Sequence, residues 1–167
     1  MTLSYESTLD DVTEASVRLF LRSKTYTTNR WRGALLCAAM FAAFAFLGFN
    51  AKKNINLPVV CAAAAAWGAG LFLITYKGSI RRRIKKYIAS ELKGPWPRPT
   101  VYEIKNGTLS STTAGTTVTY ALSDLSSVTT DTRYIELTYN TAQGIAVIPL
   151  RAFEDTDHKT AFLAKFI

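Results

Sequence analysis

At 167 residues, with 20 Lys/Arg against 12 Asp/Glu and a formal net charge of +8, the chain fits one compact unit or a membrane anchor plus one small domain. The charge is uneven: residues 1–32 hold five basic and four acidic side chains, residues 95–167 six and seven, and residues 50–94 nine and one. A basic excess confined to the flank of an apolar stretch points to a membrane surface and away from a nucleic-acid groove, while Cys37 and Cys61, the only cysteines, lack a second Cys or a His at ligand spacing, which argues against a disulfide framework or a metal site.

Residues 1–32 read as a strand and a helix. Thr2–Ser7 alternates Leu3 and Tyr5, the period of a half-buried strand. Thr8-Leu9-Asp10-Asp11 resembles a capping box, opening a helix to about Lys24 with Leu9, Val12, Leu19 and Phe20 near one face.

Residues 33–76 read as a transmembrane helical hairpin. Gly33–Phe49 (GALLCAAMFAAFAFLGF) is charge-free and covers roughly 26 Å as a helix, enough to cross a bilayer core. Leu57–Tyr76 (LPVVCAAAAAWGAGLFLITY) covers about 30 Å, with Pro58 in the first turn, where its missing N–H costs nothing. Asn50–Asn56 (NAKKNIN) is a short polar turn, so the two spans run antiparallel. A cleaved signal peptide is excluded by the thirty mixed-charge residues before Gly33 and by the second span. Arg18, Arg22, Lys24, Arg30 and Arg32 precede the hairpin and Lys77, Arg81, Arg82, Arg83, Lys85 and Lys86 follow it, against Lys52 and Lys53 in the turn. The positive-inside rule then sets both termini in the cytoplasm. Ala34, Ala38 and Ala42, like Ala62, Ala66 and Gly70, repeat every four residues as small-xxx-small faces. Such faces serve pairing within the hairpin, the simpler use, or a homo-oligomer.

Residues 77–94 continue the second span as a basic amphipathic stalk. Ile80, Ile84, Tyr87, Ile88 and Leu92 fall on one face, and Arg81, Arg82, Arg83, Lys85 and Lys86 decorate the rest; anionic lipid headgroups suit these cations. The stalk can equally meet the N-terminal helix. RRRIKK lacks the aromatic interleaving and the fold of a nucleic-acid binder, and GPWPRP ends the helix.

Residues 95–167 turn to Thr, Ser, Val, Ile and Tyr. Strands are predicted at Thr100–Lys105, Thr108–Thr113 after the Asn106-Gly107 turn, Thr116–Leu122, Ser126–Asp131, Arg133–Tyr139 and, after a turn at Asn140–Gly144, Ile145–Leu150. A helix over Glu154–Phe166 closes this meander, with His158, Phe162 and Phe166 on one stripe. The first strand is expected to complete this small β-domain, making the cytoplasmic unit discontinuous; the whole is an α+β membrane protein.

At this point the chain resembles the YcxB-like family of small bacterial membrane proteins. The resemblance runs over most of the length and is carried by YEIKNGTLSS (Tyr102–Ser111), YALSDLSSV (Tyr120–Val128) and IPLRAF (Ile148–Phe153). It implies a C-terminal domain of pleckstrin-homology-like shape; it implies no common activity and transfers no site residues.

Nothing in the chain assembles a catalytic constellation. The lone histidine, His158, sits on a helix stripe with two Phe, no strained nucleophile turn or phosphate loop is present, and Glu103 and Glu136 read as ordinary strand carboxylates. The spans hold no ionisable group besides the two thiols, which argues against an ion pathway. The expectation is therefore a non-enzymatic, cofactor-free, membrane-anchored module that binds membrane lipids and a protein partner. Arg133, Tyr134 and Arg151 are contact candidates by interface propensity. An immunity protein neutralising a membrane-acting toxin or effector, and an anionic-lipid sensor, are the alternatives.

Overall fold

A computed structural model describes residues 1–52, 55–92, 94–113, 115–140 and 144–166. Lys53 of the polar turn, the stalk end at Lys93 and most of the Asn140–Gly144 turn lie outside these. The chain is α+β, with four α-helices and two antiparallel sheets among the described residues. It divides into two compact units, one of Met1–Leu19 and Lys85–Ile167, the other of Phe20–Ile84.

In the first unit, β1 (Thr2–Ser7) pairs antiparallel with β2 (Arg98–Lys105), setting Leu3 opposite Tyr102 and Tyr5 opposite Thr100. Asn106 and Gly107 take positive φ (51° and 73°), the backbone of a tight hairpin turn, and deliver β3 (Thr108–Thr113). With β4 (Thr116–Ala121) the first sheet has the order β1-β2-β3-β4. A 3-10 turn at Leu122–Asp124 then starts a second sheet of β5 (Leu125–Thr130), β6 (Tyr134–Tyr139) and β7 (Ile145–Pro149). The strands are thus split into four and three, a break that the expected single meander lacks. Leu109, Ile135, Leu137 and Ile148 are fully buried, each worth about 1.5–3 kcal/mol of apolar transfer.

The chain-end boundaries move for local reasons. β7 stops at Pro149, which has no N–H for a ladder, and a 3-10 turn follows at Leu150–Ala152. The last helix, α4, spans Thr156–Leu163 and not Glu154–Phe166, because extended Asp155 is its N-cap and accepts from the His158 N–H (2.6 Å). Phe162 is buried in the core, and His158 packs edge-on against Phe153.

The helix α1 (Leu9–Arg22) opens on a reciprocal cap. The Thr8 N–H and hydroxyl both donate to Asp11 Oδ2 at 2.7 Å, and the Asp11 N–H donates back to Thr8 Oγ1 at 3.3 Å. Its buried residues are Asp11, Thr13 and Val17, whereas Leu19, expected on the inner face, is exposed.

In the second unit, α2 (Lys24–Phe49) begins nine residues before the charge-free run. Ser23 is extended, and its side chain accepts from the Tyr26 N–H (3.1 Å), so the chain stops α1 and restarts within two residues. At 26 residues α2 is about 39 Å long, and α3 (Leu57–Glu91, 35 residues) about 52 Å. Both are long and apolar enough to cross a membrane. Ile80 and Ile88 are buried along α3, but Tyr87 is 65% exposed and lies off the expected apolar face.

The seam between α2 and α3 differs from the expected one on the α3 side. Ala34 is buried and Ala38 and Ala42 are half-buried, but Ala62 and Ala66 are exposed. Gly68 is the close-approach residue: a Cβ there would lie 2.7 Å from the Phe41 ring and 3.0 Å from the Cys37 carbonyl oxygen. A Cβ on Gly33 would run into the Phe72 ring, whereas one on Gly70 would meet nothing within 4 Å. The physical reason is degeneracy. CAAAAAWGAG offers small residues on nearly every face, and the large rings of Phe41 and Phe72 decide which face packs. Gly68→Leu is therefore expected to destabilise the detergent-solubilised protein by about 1–3 kcal/mol, the usual cost of overpacking. Gly70→Leu should leave the thermal midpoint unchanged, and equal effects from the two would contradict this register.

Candidate functional site

The face of the first sheet that turns inward changes character along its strands. At one end Leu3, Tyr102, Leu109 and Ile104 join the apolar core. At the other, Ser7, Thr100, Ser111 and Thr113 present hydroxyls into a cavity of about 410 Å³ that Asp11 of α1 and Ile145–Val147 of β7 also line. Tyr5 and Tyr102 stack with ring centroids 6.2 Å apart, and Tyr120 stacks on Tyr139 at 4.7 Å while donating to the Ile145 carbonyl at 3.2 Å. Burial pushes the phenols of Tyr5, Tyr102, Tyr120 and Tyr139 above their ordinary range, so they stay neutral. Thr100, only 2% exposed, spends its hydroxyl on Thr113 (3.0 Å). The cavity is thus a hydroxyl-rich recess with aromatic walls, flanked by the charged side chains of Asp11 and Arg98, able to hydrogen-bond and to receive apolar groups.

Two ion-pair clusters lock α1 against the second sheet, and one of them includes Asp11 at the wall of this recess. Asp11, 4% exposed, receives both guanidinium nitrogens of Arg151 and the Tyr134 hydroxyl (3.3 Å). Burial alone would raise its carboxyl, but the bonds from Arg151 and Thr8 outweigh that and hold it below the ordinary carboxylate value. Arg18 reaches Glu14 (3.1 Å), Asp131 (2.5 Å) and buried Glu136 (2.9 Å), with its guanidinium 5.2 Å from the Tyr134 ring centre. Asp131 also accepts from the Arg133 and Tyr134 N–H groups at 2.7 and 2.8 Å. Those backbone donors, then Arg18, bring its carboxyl down to about 2.

These contacts reassign the sequence-derived candidates. Arg151 and Tyr134 are engaged inside the unit, so they position α1 and are not free contact residues; Arg133 stays exposed. Sequence reasoning missed Asp11 as their common partner, because 123 and 140 residues separate it from Tyr134 and Arg151. Glu103 and Glu136 lie in different sheets. Arg81, Arg82, Arg83, Lys85 and Lys86 are all exposed on α3, and Lys85 pairs with Asp10 at 2.7 Å. No group of three or more potential metal ligands occurs among the described residues.

One surface of the unit stands out for what it lacks. β4 forms an end of the first sheet, and its TTVTYA run holds no charge and no proline. Thr116–Thr119 are exposed, with Val118 45% exposed at the cavity rim. Sheet edges are usually blunted by Lys, Pro or a bulge, because open N–H and C=O groups invite another strand.

Compared with known proteins, the chain matches no family model, no curated protein and no solved structure. The reading of the site therefore rests on its own geometry.

The depressed carboxyls make stability depend on pH with a definite sign. Asp131 has a folded value of about 2 against an ordinary 3.8, so its contribution is fully present above the ordinary value and is lost as pH falls from about 4 through 2. Asp11 acts in the same direction. Asp131→Asn keeps an oxygen for the two backbone donors but removes the titration. Its melting temperature should fall less steeply than the parent's between pH 4 and pH 2, and an unchanged slope would contradict the assignment.

Proposed function

We propose that the protein is a YcxB-like, two-span protein of the bacterial inner membrane that serves as a non-enzymatic binding module, with both termini and the β-unit in the cytoplasm. The observation that carries this reading is the exposure of α2 and α3. Leu35, Leu36, Met40, Phe44 and Leu47 of α2, with Val59, Trp67, Leu71 and Ile74 of α3, are all more than 40% exposed. Only 11% and 6% of the most apolar windows of the two helices are buried within the protein. A helix in a soluble core would have these residues covered; a lipid-facing helix has no such need. The excess of Lys/Arg on both flanks over the turn supports the cytoplasmic assignment of both ends.

A pleckstrin-homology-like shape for the β-unit draws support from the order four strands, three strands, closing helix. The sequence of the hairpin falls between β1 and β2. Of the segments that carry the family resemblance, YEIKNGTLSS covers the β2–β3 hairpin and IPLRAF the Pro149 stop and its 3-10 turn.

The partner is a polypeptide that adds an extended segment to the open edge of β4, directing side chains toward the hydroxyl-lined recess beside Val118. Main-chain hydrogen bonds supply affinity in such strand addition, and pockets for alternate side chains supply selectivity. A toxin or effector segment bound in this way would make the protein an immunity factor, so that reading differs in the identity of the partner and not in the binding mode.

A green-fluorescent fusion to the C terminus, crosslinked in cells and purified in mild detergent, tests the proposal. The fusion fluoresces only if its tag folds in the cytoplasm, so a dark fusion contradicts the orientation. Thr117→Lys combined with Thr119→Lys, which charges the edge without touching the core, should abolish capture of the partner that the parent retains. Undiminished capture by the double variant would refute edge recognition.

A further inference from the structure

The unit of residues 20–84 holds a second recess, of about 560 Å³, and its lining follows one stripe of α3. Phe72, Thr75, Tyr76, Ser79, Ile80 and Arg83 recur at intervals of three and four residues, so they stand one above another on a single helix face. Phe20 and Asn29 close the opposite side.

The order of side chains along that stripe is a polarity gradient. The inner end is aromatic: Phe72 and Tyr76 stack at 4.8 Å, Tyr76 and Tyr26 at 5.7 Å, and Phe20 meets Tyr26 edge-on at 6.0 Å. Next come Thr75 and Ser79. The Thr75 hydroxyl proton goes to the Leu71 carbonyl (2.8 Å), leaving its oxygen free to accept. Ser79 and Asn29 have no side-chain hydrogen-bond partner among the described residues. The outer end is Arg83, exposed and without an ion pair among the described residues.

We infer that this recess seats one anionic phospholipid from the cytoplasmic leaflet. Acyl chain lies against Phe72 and Tyr76, the glycerol ester region meets Thr75, Ser79 and Asn29, and the phosphodiester binds Arg83. The inference rests on the membrane reading of α2 and α3. Two physical facts favour this occupant over a soluble anion. An anion alone would gain nothing from the aromatic end, whereas a lipid matches the whole gradient. The Cα–Cβ bonds of a helix also tilt toward its N-terminus, which for α3 is the membrane side, so the Arg83 side chain leads back toward the headgroup layer. Arg83 is seven residues, about 10 Å, beyond Tyr76, the end of the apolar run, and a long guanidinium stem spans much of that interval. A forked guanidinium is suited to a phosphodiester.

Native mass spectrometry of the full-length protein in mild detergent, titrated with phosphatidylglycerol or phosphatidylcholine, tests the assignment. One phosphatidylglycerol should stay bound under activation that strips phosphatidylcholine. Arg83→Gln should lower its retention about tenfold, as expected for loss of a charge-assisted, forked contact. Lys77→Gln, the same charge change nearer the apolar run but on another face of α3, should lower it by less than about twofold. Both positions are exposed, so neither substitution opens the core. Equal losses from the two variants would mean diffuse surface attraction and would overturn the seat. So would displacement of the lipid by millimolar inorganic phosphate, which would identify a simple anion site. A chain that stays embedded in membranes yet shows no headgroup preference would refute the seat alone; a chain that leaves membranes at alkaline pH would instead strike the membrane reading on which it depends.

Discussion

Large apolar side chains that point outward from both long helices set the terms for everything else in this protein. Water penalises such a surface by roughly 25 cal/mol for each Å², and these side chains stay exposed among the described residues. A bilayer removes the penalty, and it admits only backbones whose N–H and C=O groups are paired internally, which α2 and α3 satisfy as helices. Within a lipid phase the hydrophobic effect no longer holds helices together, so close packing must. Gly33 beneath Phe72 and Gly68 beneath Phe41 are where that close packing occurs.

The β-unit obeys the opposite rules. Its core is small, and β1 from the N-terminal end enlarges the sheet by pairing along its own full length with Arg98–Glu103 of β2. The helix that follows β1 is fastened by charge more than by grease. Its buried face offers Asp11, Thr13 and Val17, and Arg151 and Arg18 reach the Asp11 and Asp131 carboxylates across that boundary. A buried carboxylate tolerates its site only when donors surround it, and Asp11 has them from Thr8, Tyr134 and Arg151. The same helix walls a hydroxyl-lined recess, so the Asp11–Arg151 salt bridge sits at the border of that recess as well as of the fold.

Much of this was legible in the order of residues. The two long apolar helices showed as unbroken apolar runs, the β2–β3 hairpin as Asn106-Gly107, and the cap of α1 as Thr8 with Asp11. What stayed hidden was whatever depends on distant partners. The buried face of α1 was misassigned because an apolar count cannot value an aspartate that Tyr134 and Arg151, distant in sequence, will satisfy. Arg151 and Tyr134 looked like surface anchors until their long-range partners were in place. The α3 seam was misplaced by two residues because alanines on every face leave its register to the rings of Phe41 and Phe72. The split into two sheets at Leu122–Asp124 carried no glycine or proline to announce it.

Alkaline carbonate washing of membranes from cells making the full-length chain, followed by ultracentrifugation, bears most directly on the lipid environment of α2 and α3. The chain should remain wholly in the pellet and enter solution only with detergent. Recovery of folded, monodisperse protein in the carbonate supernatant would contradict it.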